Sequence, residues 1–169
     1  MKHTTQRGIA LLIAVLISAV AIAVGAAIYS IVQKQLILTG LSRDSQFAFY
    51  AADSAAECAL YWDNRYGYFA ATTTIPGSPA ICSNNTLAVT RPGNATYPYI
   101  STFQYDTNGL CAVVSVVKCD GTITDPVHGT CVSSGSSIHT TIIAYGYNVA
   151  CSATSSSLRV LQRAVRLNY

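Results

Sequence analysis

Hydrophobic and polar positions divide the chain into three stretches with different periodicities. From residue 9 to residue 32 there are 24 residues without a charge, and the only clearly polar members are Ser18, Ser30 and the amphipathic Tyr29. As a helix rising about 1.5 Å per residue, this stretch spans roughly 36 Å, more than the ~30 Å core of a bilayer, so it crosses with some tilt. A buried core helix seldom needs more than about 14 uninterrupted apolar residues. A cleaved secretory signal is the closer rival, because Lys2 and Arg7 make a basic start and Ala21-Ile22-Ala23 offers a small-residue cleavage site. Its apolar core runs only about 7 to 15 residues, however, and here the run continues far past that site.

Beyond Val32 the pattern becomes amphipathic without an obvious break. No proline or helix-ending glycine motif precedes Trp62, and Gly40 is the one weak point, so the helix is expected to continue through residues 33–65. Leu41, Ser45, Ala48, Ala52, Ala55, Ala59 and Trp62, at alternating steps of four and three, form a narrow stripe of mostly small side chains. Such a stripe lets a backbone approach closely, either a sheet of the same chain or a neighbouring helix. Arg43, Asp44, Gln46, Asp53 and Glu57 fall on the opposite, solvated side.

After Trp62 the chain turns to Thr, Ser, Gly, Pro, Asn and Tyr, with turns at residues 75–79 and 91–94. Strands are expected at residues 99–105, 110–118 and 138–149. In the last of these Ile143, Tyr145, Tyr147 and Val149 alternate with Ala144, Gly146 and Asn148. Residues 158–167 read both ways: Leu158, Leu161 and Val165 have helical spacing, while Arg159, Leu161, Arg163, Val165 and Leu167 alternate. The lack of a cap and the need for a final edge favour a closing strand whose arginines guard it against mispairing. The fold class is therefore α+β: a long N-terminal helix, half transmembrane and half amphipathic, packed on a small antiparallel β-sheet head at residues 66–169.

Composition and charge narrow the function. Only 10% of residues are charged, well below the roughly one quarter usual for soluble domains, which points to lipid or to assembly. The net charge of +3 is scattered along the chain, so specific nucleic-acid binding is not expected. The six cysteines lie outside the apolar stretch and none forms a C-x-x-C pair, which removes the main support for zinc or thioredoxin-like chemistry. An even count in a small domain suggests disulfides and an oxidising compartment. If strand 110–118 pairs antiparallel with strand 138–149, Cys111 comes near Cys151, Cys119 is left with Cys131, and Cys58 on the helix takes Cys82. That is one of 15 connectivities six cysteines allow.

No catalytic constellation is apparent. His128 and His139 belong to no metal-binding or nucleophile motif, and no G-x-S-x-G elbow or phosphate-binding loop occurs. Asp120-Gly121 and Asp125 match a fragment of a calcium loop, but the other acidic ligands are missing and a turn is the plainer reading. Asn84-Asn85-Thr86 and Asn94-Ala95-Thr96 fit the N-x-T pattern and suggest only exposed loops. The eleven tyrosines read mainly as strand residues. The expectation is a protein without metal, cofactor or enzymatic activity.

The order of these features resembles type IV pilins and the pseudopilins of type II secretion, over roughly the first 65 residues. A short basic leader, Met1 to Arg7, ends at Gly8, and an apolar helix passes directly into an amphipathic half that carries a head. The stretch Leu41-Ser42-Arg43-Asp44-Ser45-Gln46-Phe47-Ala48-Phe49-Tyr50-Ala51-Ala52-Asp53-Ser54-Ala55 is most similar to minor pilins of the PilX type, which carry a like succession of arginine, aromatics and A-A-E/D. The resemblance implies cleavage by a prepilin peptidase after Gly8, leaving Ile9 as the first mature residue, methylated as in such families. It also implies partners: other pilin or pseudopilin subunits, an inner-membrane assembly platform and the lipid bilayer. Two departures stand out. Mature pilins usually begin with Phe or Met, and their fifth residue is usually Glu, where this chain has Ile13. In the family that carboxylate, costing roughly 2 to 3 kcal/mol in hydrocarbon, is compensated by the terminal amine of an adjacent subunit. Its absence implies a minor, tip-proximal subunit. The alternative is a permanently membrane-anchored extracytoplasmic binding or adhesion module.

Overall fold

The computed structural model describes residues 4–70, 78–91, 99–119, 123–125, 129–131 and 139–169, with backbone alone for residues 4–8, 123–125 and 129–131. Its first element is a single long helix, α1 (Thr4–Tyr66). The first compact unit, Met1–Ser42, is described through this helix, and the second, Arg43–Tyr169, holds the rest of α1 with the strands.

Gly67 stops the helix. Its φ of 57° is left-handed, which a side chain resists, and its N–H donates to the Asp63 carbonyl (2.9 Å) while Tyr68 N–H reaches the Trp62 carbonyl (3.1 Å). The chain then makes two small hairpin strands, β1 (Ile81–Cys82) and β2 (Asn85–Thr86), before the main sheet. That sheet contains β3 (Tyr99–Thr107) and β4 (Leu110–Cys119). After the short β5 (Ile123–Asp125) and β6 (Gly129–Cys131) pair, it resumes with β7 (His139–Tyr147) and β8 (Gln162–Asn168). The order is β3-β4-β7-β8 and every neighbour is antiparallel.

Asn108-Gly109 joins β3 to β4, both residues at positive φ (51° and 78°), as the twist of a two-residue hairpin demands. Residue 158 to 161 is not strand: a 3₁₀ turn (Cys151–Ala153) and a loop precede β8, which begins at Gln162. β7 likewise stops at Tyr147, earlier than the alternation suggested. There the Asn148 side chain takes over the pairing, accepting from Leu161 N–H (2.7 Å) and donating to the Arg159 carbonyl (3.1 Å). The closing edge strand itself is present, and so is the α+β class: the helix packs against the small antiparallel sheet.

Alternation along the strands selects the face that meets α1. Phe103 and Tyr105 from β3, Ala112, Val114 and Val116 from β4, and Ile142 and Ala144 from β7 are buried with Ala55, Ala56 and Ala59 of the helix. Phe69 stacks on Phe103 with ring centroids 5.7 Å apart and fills the space beyond the helix end. Small residues lie where helix and sheet come close, Gly146 over Ala48 and Ala52.

Candidate assembly surface

The first unit offers one continuous apolar surface. Gly8 is helical in backbone, and Ile9, Leu11, Leu12, Ile13, Val15, Leu16, Ile17 and Val20 are all exposed. Several polar side chains along the helix find partners within it. Ser18 and Ser30 hydroxyls donate to the carbonyls of Ala14 and Ala27 (2.8 Å each), Thr39 to Gln35 (2.8 Å), and Gln33 Nε2 to Tyr29 OH. A helix in hydrocarbon must satisfy its polar groups internally in this way. The segment is a helix long and apolar enough to cross a membrane. Ile13 is 51% exposed and carries no group for an ion pair.

In the second unit the small-residue stripe divides by position. Ala48, Ala52, Ala55 and Ala59 are fully buried against the chain's own sheet, joined by Ala51 and Ala56. Trp62 is half-buried against the same core, and its Nε1 donates to the Ile81 carbonyl (3.0 Å). Ser45 is half-buried and accepts from Arg163 Nε (2.8 Å). Leu41 belongs to the first unit and is 50% exposed. On the other side of the helix Arg43, Gln46, Phe49, Tyr50 and Glu57 are exposed.

Two disulfides have both partners among the described residues and fasten the head. Cys58–Cys82 ties the helix to β1, with Cα atoms 6.1 Å apart. Cys111–Cys151 ties the start of β4 to the 3₁₀ turn, with Cα atoms 4.6 Å apart. Cys119 is also disulfide-bonded; the expected partner, Cys131, lies outside the residues whose side chains are described.

A buried polar cluster at the end of α1 has no counterpart in the sequence expectations. Lys118 Nζ lies 2.7 Å from Asp63 Oδ2 and 3.1 Å from Thr140 Oγ1, and Tyr169 OH donates to the same Asp63 oxygen (2.6 Å). The side chains of Lys118 and Asp63 are only 13% and 4% exposed. Lys118 shares the inward phase of Ala112, Val114 and Val116, and that was the available signal: a charge on the core side of a strand requires a buried partner. Burial first, then the hydrogen bond and negative charge of Asp63, push the Tyr169 phenol well above its usual value. A raised phenol contributes stability that is present below its unfolded value, about 10, and is lost as pH rises through the folded one. Unfolding followed across alkaline pH is therefore expected to show a steeper loss for the native chain than for Tyr169→Phe.

Candidate chemistry elsewhere is sparse. Asp106, Cys111 and Cys151 come together, but both sulfurs are consumed in a disulfide and Asp106 Oδ1 accepts from Cys151 N–H (2.7 Å). His139 sits half-buried at the start of β7, opposite Cys119. Asn84 is exposed at a left-handed turn position, φ 62°. His128, Asn94 and the Asp120, Gly121 and Asp125 side chains lie outside the described residues. Comparison with protein-family models, with curated proteins and with solved structures finds no match.

Proposed function

We propose that the chain is a structural subunit of a type IV pilus or pseudopilus, minor and tip-proximal, that does its work through the N-terminal helix. The observation that supports this reading most is the division of α1: an apolar surface with its polar groups self-satisfied up to Val32, then an alanine stripe that holds a disulfide-fastened head. A plain anchor needs only the first of these. A subunit that leaves the bilayer and packs into a fibre needs both, because the head must stay fixed to the helix while the apolar part exchanges lipid for other helices. In this reading prepilin peptidase cuts after Gly8, the helix waits in the inner membrane with the head in the oxidising space outside, and the assembly platform extracts it toward the cell surface.

Mass spectrometry of the mature N-terminus tests the reading. A start at Ile9 is expected. A start at Met1 removes it in favour of a permanently anchored binding module, and a start after Ala23 establishes a secretory signal instead. Ile13 supports the minor position, since no carboxylate is present there to recruit the chain along the shaft. Ile13→Glu should accordingly raise the amount of this chain in sheared surface filaments, and an unchanged amount would count against a tip-proximal role.

A further inference from the structure

The two edges of the main sheet are finished differently. On the β3 side, Thr102 exchanges backbone hydrogen bonds with Thr90 (2.8 and 2.9 Å), which caps that edge. On the β8 side, Tyr169 exchanges both backbone bonds with Thr140 (2.8 and 3.0 Å), and the pairs Leu167–Ile142, Val165–Ala144 and Arg163–Gly146 follow in steps of two. Because hydrogen-bonding direction alternates along an antiparallel strand, Gln162, Ala164 and Asn168 aim their N–H and C=O groups away from β7. Gln162 and Ala164 are exposed in side chain, and no described residue takes these backbone groups. We infer that this edge of β8 is a docking strand for an extended acidic segment of a partner chain, which joins the sheet as a fifth strand.

Charge selects the occupant. Arg159 and Arg163 are exposed beside this edge; Arg163 Nε donates to Ser45 Oγ (2.8 Å), and neither guanidinium is paired with a carboxylate among the described residues. Such arginines oppose indiscriminate pairing. A second copy is disfavoured because antiparallel β8 strands would crowd the arginines of both chains into one short ribbon. An extended segment with Asp or Glu at alternate positions meets both requirements: its backbone completes the ladder and its carboxylates meet the guanidinium groups. The inference goes beyond the fibre reading and does not depend on it.

The test uses the full chain in detergent and a labelled synthetic strand, about ten residues long and alternating Thr with Glu, compared with its Thr-Lys counterpart. Fluorescence anisotropy should show binding of the acidic strand, weakening as salt is raised, and weaker binding of the basic one. Ala164→Pro removes the outward N–H while leaving the bonds to β7 in place, and should weaken acidic binding at least tenfold with the thermal midpoint unchanged. Should that variant lower the midpoint, Arg159→Glu serves in its place and should weaken the acidic strand while strengthening the basic one. Equal binding of both strands, no binding of the acidic one, or a folded Ala164→Pro that binds as well as the native chain would each overturn the inference.

Discussion

Gly146→Val is expected to cost the head about 4 kcal/mol or more, enough to abolish cooperative unfolding in a domain of ordinary marginal stability. Gly146 lies on the helix-facing side of β7, directly over the alanine stripe. A Cβ there would sit 2.5 Å from Ala52 N and 3.1 Å from Ala48 C, and closer still to the Ala48 carbonyl oxygen. These are backbone atoms of a helix and cannot swing aside, so the whole helix–sheet contact would have to open. Overpacking against movable side chains costs about 1 to 3 kcal/mol, and a backbone obstacle places this site above that range. Gly40→Ala is the control, since a Cβ at Gly40 meets nothing within 4 Å. Thermal unfolding of the two variants should differ sharply, and a Gly146→Val head as stable as the native one would show that helix and sheet do not approach this closely.

That contact also shows what the sequence could and could not reveal. The stripe of Ala48, Ala52, Ala55 and Ala59 was legible because helical periodicity needs no knowledge of the partner. The alternation of Ile143, Tyr145 and Tyr147 with Ala144 and Gly146 was legible too, but not which set faces inward. Hydrophobic size alone would favour the large set as core. The structure turns Ala144 and Gly146 to the helix, because a helix lined with alanine comes too near for anything larger. Strand pairing of β4 with β7 brings Cys111 close to Cys151, since Cys111 sits opposite Tyr147, just before the turn. The short strands β1, β2, β5 and β6 were not legible: two or three residues carry no period. Arg163 belongs to the same class, its hydrogen bond to Ser45 joining positions 118 residues apart.

The Asp63 cluster likewise joins positions far apart in the chain, 55 residues for Lys118 and 106 for Tyr169, and it carries the second large effect. Lys118→Met is expected to destabilise the head by about 3 to 4 kcal/mol, because removing one partner of a buried ion pair leaves the other charge uncompensated. Asp63 lies in the last turn of α1, where the helix carbonyls already disfavour a negative charge. Among the described residues its Oδ1 has no hydrogen-bond partner, and Tyr169 OH alone would remain to support Oδ2. Lys118 Nζ also donates to Thr140, and that hydroxyl loses its donor in the same step. Chemical denaturation of Lys118→Met, of Asp63→Leu and of the double variant separates charge from packing. Each single change should be costly, and the double should recover most of the loss, since a buried pair replaced by apolar groups of like volume is often close to neutral. Additive losses in the double variant would mean that the pair matters through packing, with its charges already well solvated. A recovery would place the ion pair as the device that fixes where the end of α1 meets β4 and β8, the register on which the alanine stripe and Gly146 both depend.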